Sequence, residues 1–122
     1  MKILLALPFA ALMIASGQVS AACVYIQNTY SGIVPANSEV IVQGPFTITG
    51  ANGCRQANIT ALGVSNPPSQ FIDRLNGSIW TKVDGGNRSN VSTLGELGSY
   101  RVRLKNDHNV ARGYSGTTRY GR

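Results

Sequence analysis

Gly98-Ser99-Tyr100-Arg101-Val102-Arg103-Leu104-Lys105 is the stretch that decides the fold. Apolar and basic residues alternate through it with period two, the spacing of a strand that has one face in a core and one in water. Tyr100, Val102 and Leu104 therefore belong to the core face. Arg101, Arg103 and Lys105 belong to the outer face. A turn precedes it, Leu94-Gly95-Glu96-Leu97, and another follows, Asn106-Asp107-His108-Asn109.

The same grammar extends outward in both directions. Val24-Tyr25-Ile26-Gln27, Glu39-Val40-Ile41-Val42-Gln43, Phe46-Thr47-Ile48-Thr49 and Ala57 to Val64 read as strands. Gly44-Pro45 marks a bulge or corner, because proline donates nothing to a ladder. Ser78-Ile79-Trp80-Thr81-Lys82-Val83 alternates as well, with Asp84-Gly85-Gly86-Asn87 as a hairpin turn and Ser89 to Leu94 as the returning partner. Ser69 to Leu75 is ambiguous and leans towards a helical turn or irregular crossing, with Ser69 as cap and Gly77 as stop. Val110 to Tyr120 is expected to return as the last strand. The fold class expected is all-β: a single small antiparallel β-sandwich of about seven strands.

Leu94, Leu97-Gly98 and Tyr100, ahead of Val102 and Leu104, resemble the tyrosine corner of immunoglobulin-like and fibronectin-type sandwiches. The resemblance implies a Tyr100 hydroxyl bonded back to the chain upstream, and it implies no function. Its cysteines depart from the immunoglobulin pattern, since Cys23 and Cys54 would tie the first strand to mid-chain. In outline the chain also resembles chaperone–usher fimbrial subunits, although at most one residue of the expected mature chain precedes Cys23, where those subunits carry a donor strand.

Residues 1–22 read as a secretory signal peptide: Lys2, the apolar run Ile3 to Ala15, and small residues at Val19-Ser20-Ala21-Ala22. The run is shorter than the roughly 20 residues of a membrane span, so no transmembrane span is expected in the mature chain. Residues 23–122 form one domain. Two cysteines in an exported chain predict one disulfide, Cys23 to Cys54. The rival use of Cys23 is lipidation as the first residue of a lipoprotein, against which Ser20 stands where such signals carry leucine. The expected location is periplasmic or secreted.

The charge is unevenly placed. The chain has 11 Lys and Arg against 5 Asp and Glu. From Cys23 to Leu97 the balance is zero. From Gly98 to Arg122 it is +5, with Arg101, Arg103, Lys105, Arg112, Arg119 and Arg122 against Asp107. Pairing Gly98–Lys105 with Val110–Tyr120 across a four-residue turn would set Arg103 opposite Arg112 and Arg101 opposite Tyr114. Opposed arginines on one face repel unless an anion lies between them. The binding residues expected are therefore Arg101, Arg103, Lys105, Arg112, Tyr114 and Arg119. The bland alternative is a face made basic for solubility and edge protection. Trp80 has two readings: a core aromatic, or an exposed ring that stacks on a sugar beside Lys82 and Ser78.

Catalytic signals are sparse. His108 is the sole histidine and falls in a turn, no zinc-ligand spacing surrounds it, and the acids show no paired-carboxylate spacing. No metal site and no cofactor is expected. The function expected is an exported, non-catalytic, monomeric binding module that docks an anionic partner: polysaccharide, lipopolysaccharide or acidic protein. The alternative is a structural or surface-assembly subunit. The weaker alternative is a small secreted hydrolase.

Overall fold

The computed structural model describes residues 22–64 and 68–122. The expected signal segment lies outside them, apart from Ala22. Eight strands follow one another: β1 (Tyr25–Val34), β2 (Ser38–Ile48), β3 (Ala57–Gly63), β4 (Ser69–Asn76), β5 (Ile79–Gly85), β6 (Asn90–Gly95), β7 (Gly98–Asn106) and β8 (Arg112–Gly121). They form two four-stranded antiparallel sheets, one ordered β1-β8-β3-β6 and the other β2-β7-β4-β5.

The sandwich is the architecture the alternation predicts, and its wiring is that of a jelly roll. First strand pairs with last, second with seventh, third with sixth and fourth with fifth, as in a long hairpin rolled onto itself. The immunoglobulin order places its strands differently. The likeness to that fold is confined to the corner, where the Tyr100 hydroxyl donates to the Glu96 carbonyl oxygen four residues upstream.

Three expectations are corrected by this wiring. Only β4 and β5 are consecutive and paired; every other connection crosses from one sheet to the other. The hairpin expected between Gly98–Lys105 and Val110–Tyr120 therefore does not form: β7 pairs with β2 and β4, while β8 pairs with β1 and β3. The hairpin expected at Asp84–Asn87 is likewise a crossover, since β5 pairs with β4 and β6 with β3. Ser69 to Leu75 is an internal strand, hydrogen-bonded on both sides.

A buried side chain explains the β7–β8 crossover. Asn106 is fully buried. Its Nδ2 donates to the carbonyl oxygens of Val34 (3.1 Å), Pro35 (3.2 Å) and Val110 (2.9 Å), and its Oδ1 accepts from the His108 amide (3.0 Å). The side-chain amide thus joins the β7–β8 connection, through Val110, to the end of β1 and the loop after it, through Val34 and Pro35. Buried polar groups of this kind must be satisfied.

Between the sheets lie Ile48, Ile59, Ile72, Val91, Tyr100 and Val102, with the Phe46 and Tyr120 rings stacked across the gap at 3.9 Å. Gln70 is buried among them. Its Oε1 accepts from the Tyr30 hydroxyl and its Nε2 donates to the carbonyl oxygens of Ala61 (3.1 Å) and Ser89, which links β4 to the facing sheet. Tyr30 lies flat enough on β8 that a side chain at Gly116 would meet its ring at 2.7 Å.

The Cys23–Cys54 disulfide expected from the sequence is present. It ties the residues just ahead of β1 to those just ahead of β3, two strands of one sheet separated by β8. With a sequence separation of 31, loop-closure entropy assigns it about 3–4 kcal/mol.

Candidate functional site

The outer face of the β2-β7-β4-β5 sheet is built around one carboxylate. Antiparallel register sets Asp73 of β4 opposite Arg101 of β7 on one side and Lys82 of β5 on the other. Strand alternation sends Arg101, Arg103 and Lys105 outward, because Tyr100, Val102 and Leu104 are buried. The Asp73 side chain is 2% exposed, and its Oδ2 accepts from Nε of both Arg101 and Arg103 at 2.9 Å. Oδ1 accepts from Nη2 of Arg103 at 3.0 Å, so Arg103 is bidentate. Nη1 of Arg103 reaches Glu39 on β2 at 2.8 Å.

Aromatic rings flank the two guanidiniums. Arg101 lies over Trp80 with 4.5 Å to the ring centroid, and Arg103 over Phe71 with 4.3 Å. The Lys82 ammonium is 5.9 Å from the Phe71 centroid. Beyond Arg101 on the same face, the Thr47 and Ser99 hydroxyls share a hydrogen bond of 2.8 Å.

The electrostatics follow from this packing. Burial pushes the Asp73 carboxyl up, but the hydrogen bonds from Arg103 and Arg101, with their charges, outweigh it and hold its pKa below the usual carboxylate range. Arg103 is held above the ordinary guanidinium range by its bond to Asp73, against the opposing effect of burial. Arg103 therefore stays charged, and Asp73 stays ionised beneath it.

The residues expected to form one basic site are divided between two faces. Arg101, Arg103 and Lys105 share the β2-β7-β4-β5 face, joined by Lys82 and Trp80. Arg112, Tyr114 and Arg119 are on β8, in the other sheet. Arg103 does not face Arg112; its register partners are Ile41 and Phe71. Arg101 faces Asp73 rather than Tyr114, whose partner is Gly32. Tyr114 lines an open groove of about 710 Å³ shared by β1, β8 and the Ile41–Val42 segment of β2. Arg119 lies over the Tyr25 ring at 4.4 Å. Lys105 pairs with Asp107 at 3.5 Å, both side chains exposed, a pair worth little in water.

Asp73 is the site residue that sequence reading missed. Its signal was slight: one of five acids in the chain, placed after the uncharged run Ser69-Gln70-Phe71-Ile72 and followed directly by Arg74. Trp80 satisfies neither expectation in full, being half-buried on the outer face under a guanidinium. His108 lies exposed in the β7–β8 connection. Among the described residues no group of three or more His, Cys, Asp or Glu is placed to hold a metal ion, and no helix is long and apolar enough to cross a membrane.

The fold and the site together define a class: a small, disulfide-stapled jelly-roll sandwich with one ion-paired, aromatic-flanked face. No protein-family model matches the chain, and no curated protein matches it in sequence. Among solved structures it is similar to the Yersinia pseudotuberculosis-derived mitogen, with 14% identity and a TM-score of 0.54 over 80% of this chain and 86% of that one. At that identity the likeness is one of fold. A subunit of the disulfide-linked pili of Bacillus endospore appendages (12% identity, TM-score 0.37, 84% of this chain and 92% of that one) and PirA (13%, 0.34, 77% and 93%) match more loosely.

Proposed function

We propose that the chain is an exported, non-catalytic binding module that docks an anionic partner on the outer face of the β2-β7-β4-β5 sheet. The observation that carries the reading is the state of Arg101. It gives one N–H, at Nε, to Asp73, and its terminal amino groups have no bonded partner among the described residues. Lys82 and Lys105 stand exposed on the same face. The surface thus offers cationic donors in excess of its own carboxylates, held on rigid strands. The partner is a polyanion such as an acidic polysaccharide, lipopolysaccharide or an acidic protein. The disulfide supports an oxidising, exported setting.

The test is retention on an immobilised polyanion, heparin, across a salt gradient. Lys82→Ser/Arg101→Ser and Arg112→Ser/Arg119→Ser remove equal charge from opposite sheets. The first pair is expected to elute at markedly lower salt than wild type, the second close to it. Equal losses for the two pairs would reduce the binding to net charge alone.

A second reading, a surface-assembly subunit, has its own observation. The edge strands β5 and β6 carry exposed Ile79 (68%) and Leu94 (64%), and exposed apolar edges invite strand addition. Concentration-dependent polymerisation in analytical ultracentrifugation would favour it over the module.

A further inference from the structure

Two side chains that stand 21 positions apart in sequence form one platform. Trp80 lies on the edge strand β5, and Arg101 lies on β7 with β4 between them. The guanidinium packs over the indole at 4.5 Å and is fixed in its plane by the 2.9 Å bond from Nε to Asp73. Arg103 is different: its Nε and both terminal nitrogens are engaged, by Asp73 and Glu39. Of the two arginines, only Arg101 retains a complete outward fork.

We infer that this platform is a subsite for a carboxylate-bearing sugar, a uronic-acid unit within a glycan chain. The inference rests on the anionic-partner reading and narrows it. A guanidinium fork matches the two oxygens of a planar carboxylate, whereas an ammonium offers only a point charge. The fork alone would serve a phosphate equally well. What surrounds it favours a sugar. The part of the half-buried indole that Arg101 leaves uncovered gives an apolar flank suited to the C–H face of a pyranose ring, and the Ser99–Thr47 hydroxyl pair on the same sheet face suits the ring hydroxyls. Asp73 beneath is already compensated by two arginines, so it does not repel an incoming carboxylate as a lone acid would. The guanidinium is ordered before the ligand arrives, which lowers the entropic cost of the contact.

Trp80 is the single tryptophan of the chain, so its fluorescence reports on the platform directly. The experiment titrates the protein with oligogalacturonate, with the same oligomer methyl-esterified, with dextran sulfate, a sulfated glycan without carboxylates, and with inorganic polyphosphate, by fluorescence and calorimetry. Saturable binding of oligogalacturonate is expected, with esterification abolishing it. Arg101→Lys keeps the charge but loses the fork, and should weaken binding by about tenfold or more. Trp80→Leu, on an edge strand, should weaken it as well by calorimetry, and Arg119→Ser on the opposite sheet should not. Equal affinity for wild type and Arg101→Lys would overturn the inference, as would equal binding of the esterified oligomer. Binding of dextran sulfate or polyphosphate without oligogalacturonate would overturn it too, while leaving the anionic-partner reading intact. Binding of none of the four would remove both.

Discussion

On the outer face of the β1-β8-β3-β6 sheet, register rows run Gln27, Arg119, Thr60, Ser92 and then Thr29, Thr117, Leu62, Asn90. Hydroxyls and amides dominate these rows, with Leu62 exposed among them and Arg119 as their one charge. The β2-β7-β4-β5 sheet carries Glu39, Asp73, Lys82, Arg101, Arg103 and Lys105 on its outer face. The first sheet is stapled covalently through Cys23–Cys54, while the second is held across its strands by Asp73. One device is indifferent to pH and sensitive to reductant; the other is the reverse. The contrast teaches that charge counted along the chain is a poor guide to charge on a surface. The excess in the last 25 residues of the sequence is split by a crossover, and acids from mid-chain join one half of it.

The largest effect expected is on the ion-paired sheet. Asp73→Asn leaves Arg101 and Arg103 packed without their carboxylate, and removing one partner of a buried pair costs about 3–5 kcal/mol. Denaturant melts should show that loss. Next comes the staple: Cys23→Ser/Cys54→Ser should lose about 3–4 kcal/mol in the same assay, and dithiothreitol should reproduce it in wild type. The Asp73→Asn variant should respond to dithiothreitol as wild type does, which separates the two devices.

The pH response sharpens the difference. The folded-state pKa of Asp73 is depressed, so its contribution is present above the unfolded value of about 3.9 and is lost as pH falls through the lower folded value. Thermal melts should show wild type losing stability below about pH 4 through this group, with that component missing in Asp73→Asn. A smaller change is expected at the corner. Tyr100→Phe removes the bond to the Glu96 carbonyl and should cost about 1–2 kcal/mol. The smallest belongs to the hydroxyl face: Arg119→Ser should move stability by no more than about 0.5 kcal/mol.

How far the sequence carries can be judged from particular residues. The alternation in β7, the tyrosine corner and the disulfide were legible, because each is a local pattern or a matter of two cysteines. Strand β4 was obscured because Gln70 and Asp73 interrupt its apolar run. Both are buried polar residues whose partners lie far off: Ala61, Ser89 and Tyr30 for one, Arg101 and Arg103 for the other. The pairing of strands was hidden for the same reason. A short turn rich in Asn, Asp and Gly reads as a hairpin, and what makes it a crossover is Asn106 finding carbonyls from β1 and the next loop. The outward direction of Arg101 and Arg103 was therefore readable, while their company was not: Asp73 and Trp80 in place of Arg112 and Tyr114.

In the function proposed above the Arg101 face, and not the basic tail as a whole, receives the partner. Amide chemical-shift mapping during titration with heparin oligosaccharide tests it most directly. Perturbations are expected to concentrate on β4, β5 and β7 around Asp73, Trp80, Lys82 and Arg101, with the Trp80 indole N–H among the largest. Perturbations centred instead on β8 around Arg112, Tyr114 and Arg119 would contradict it.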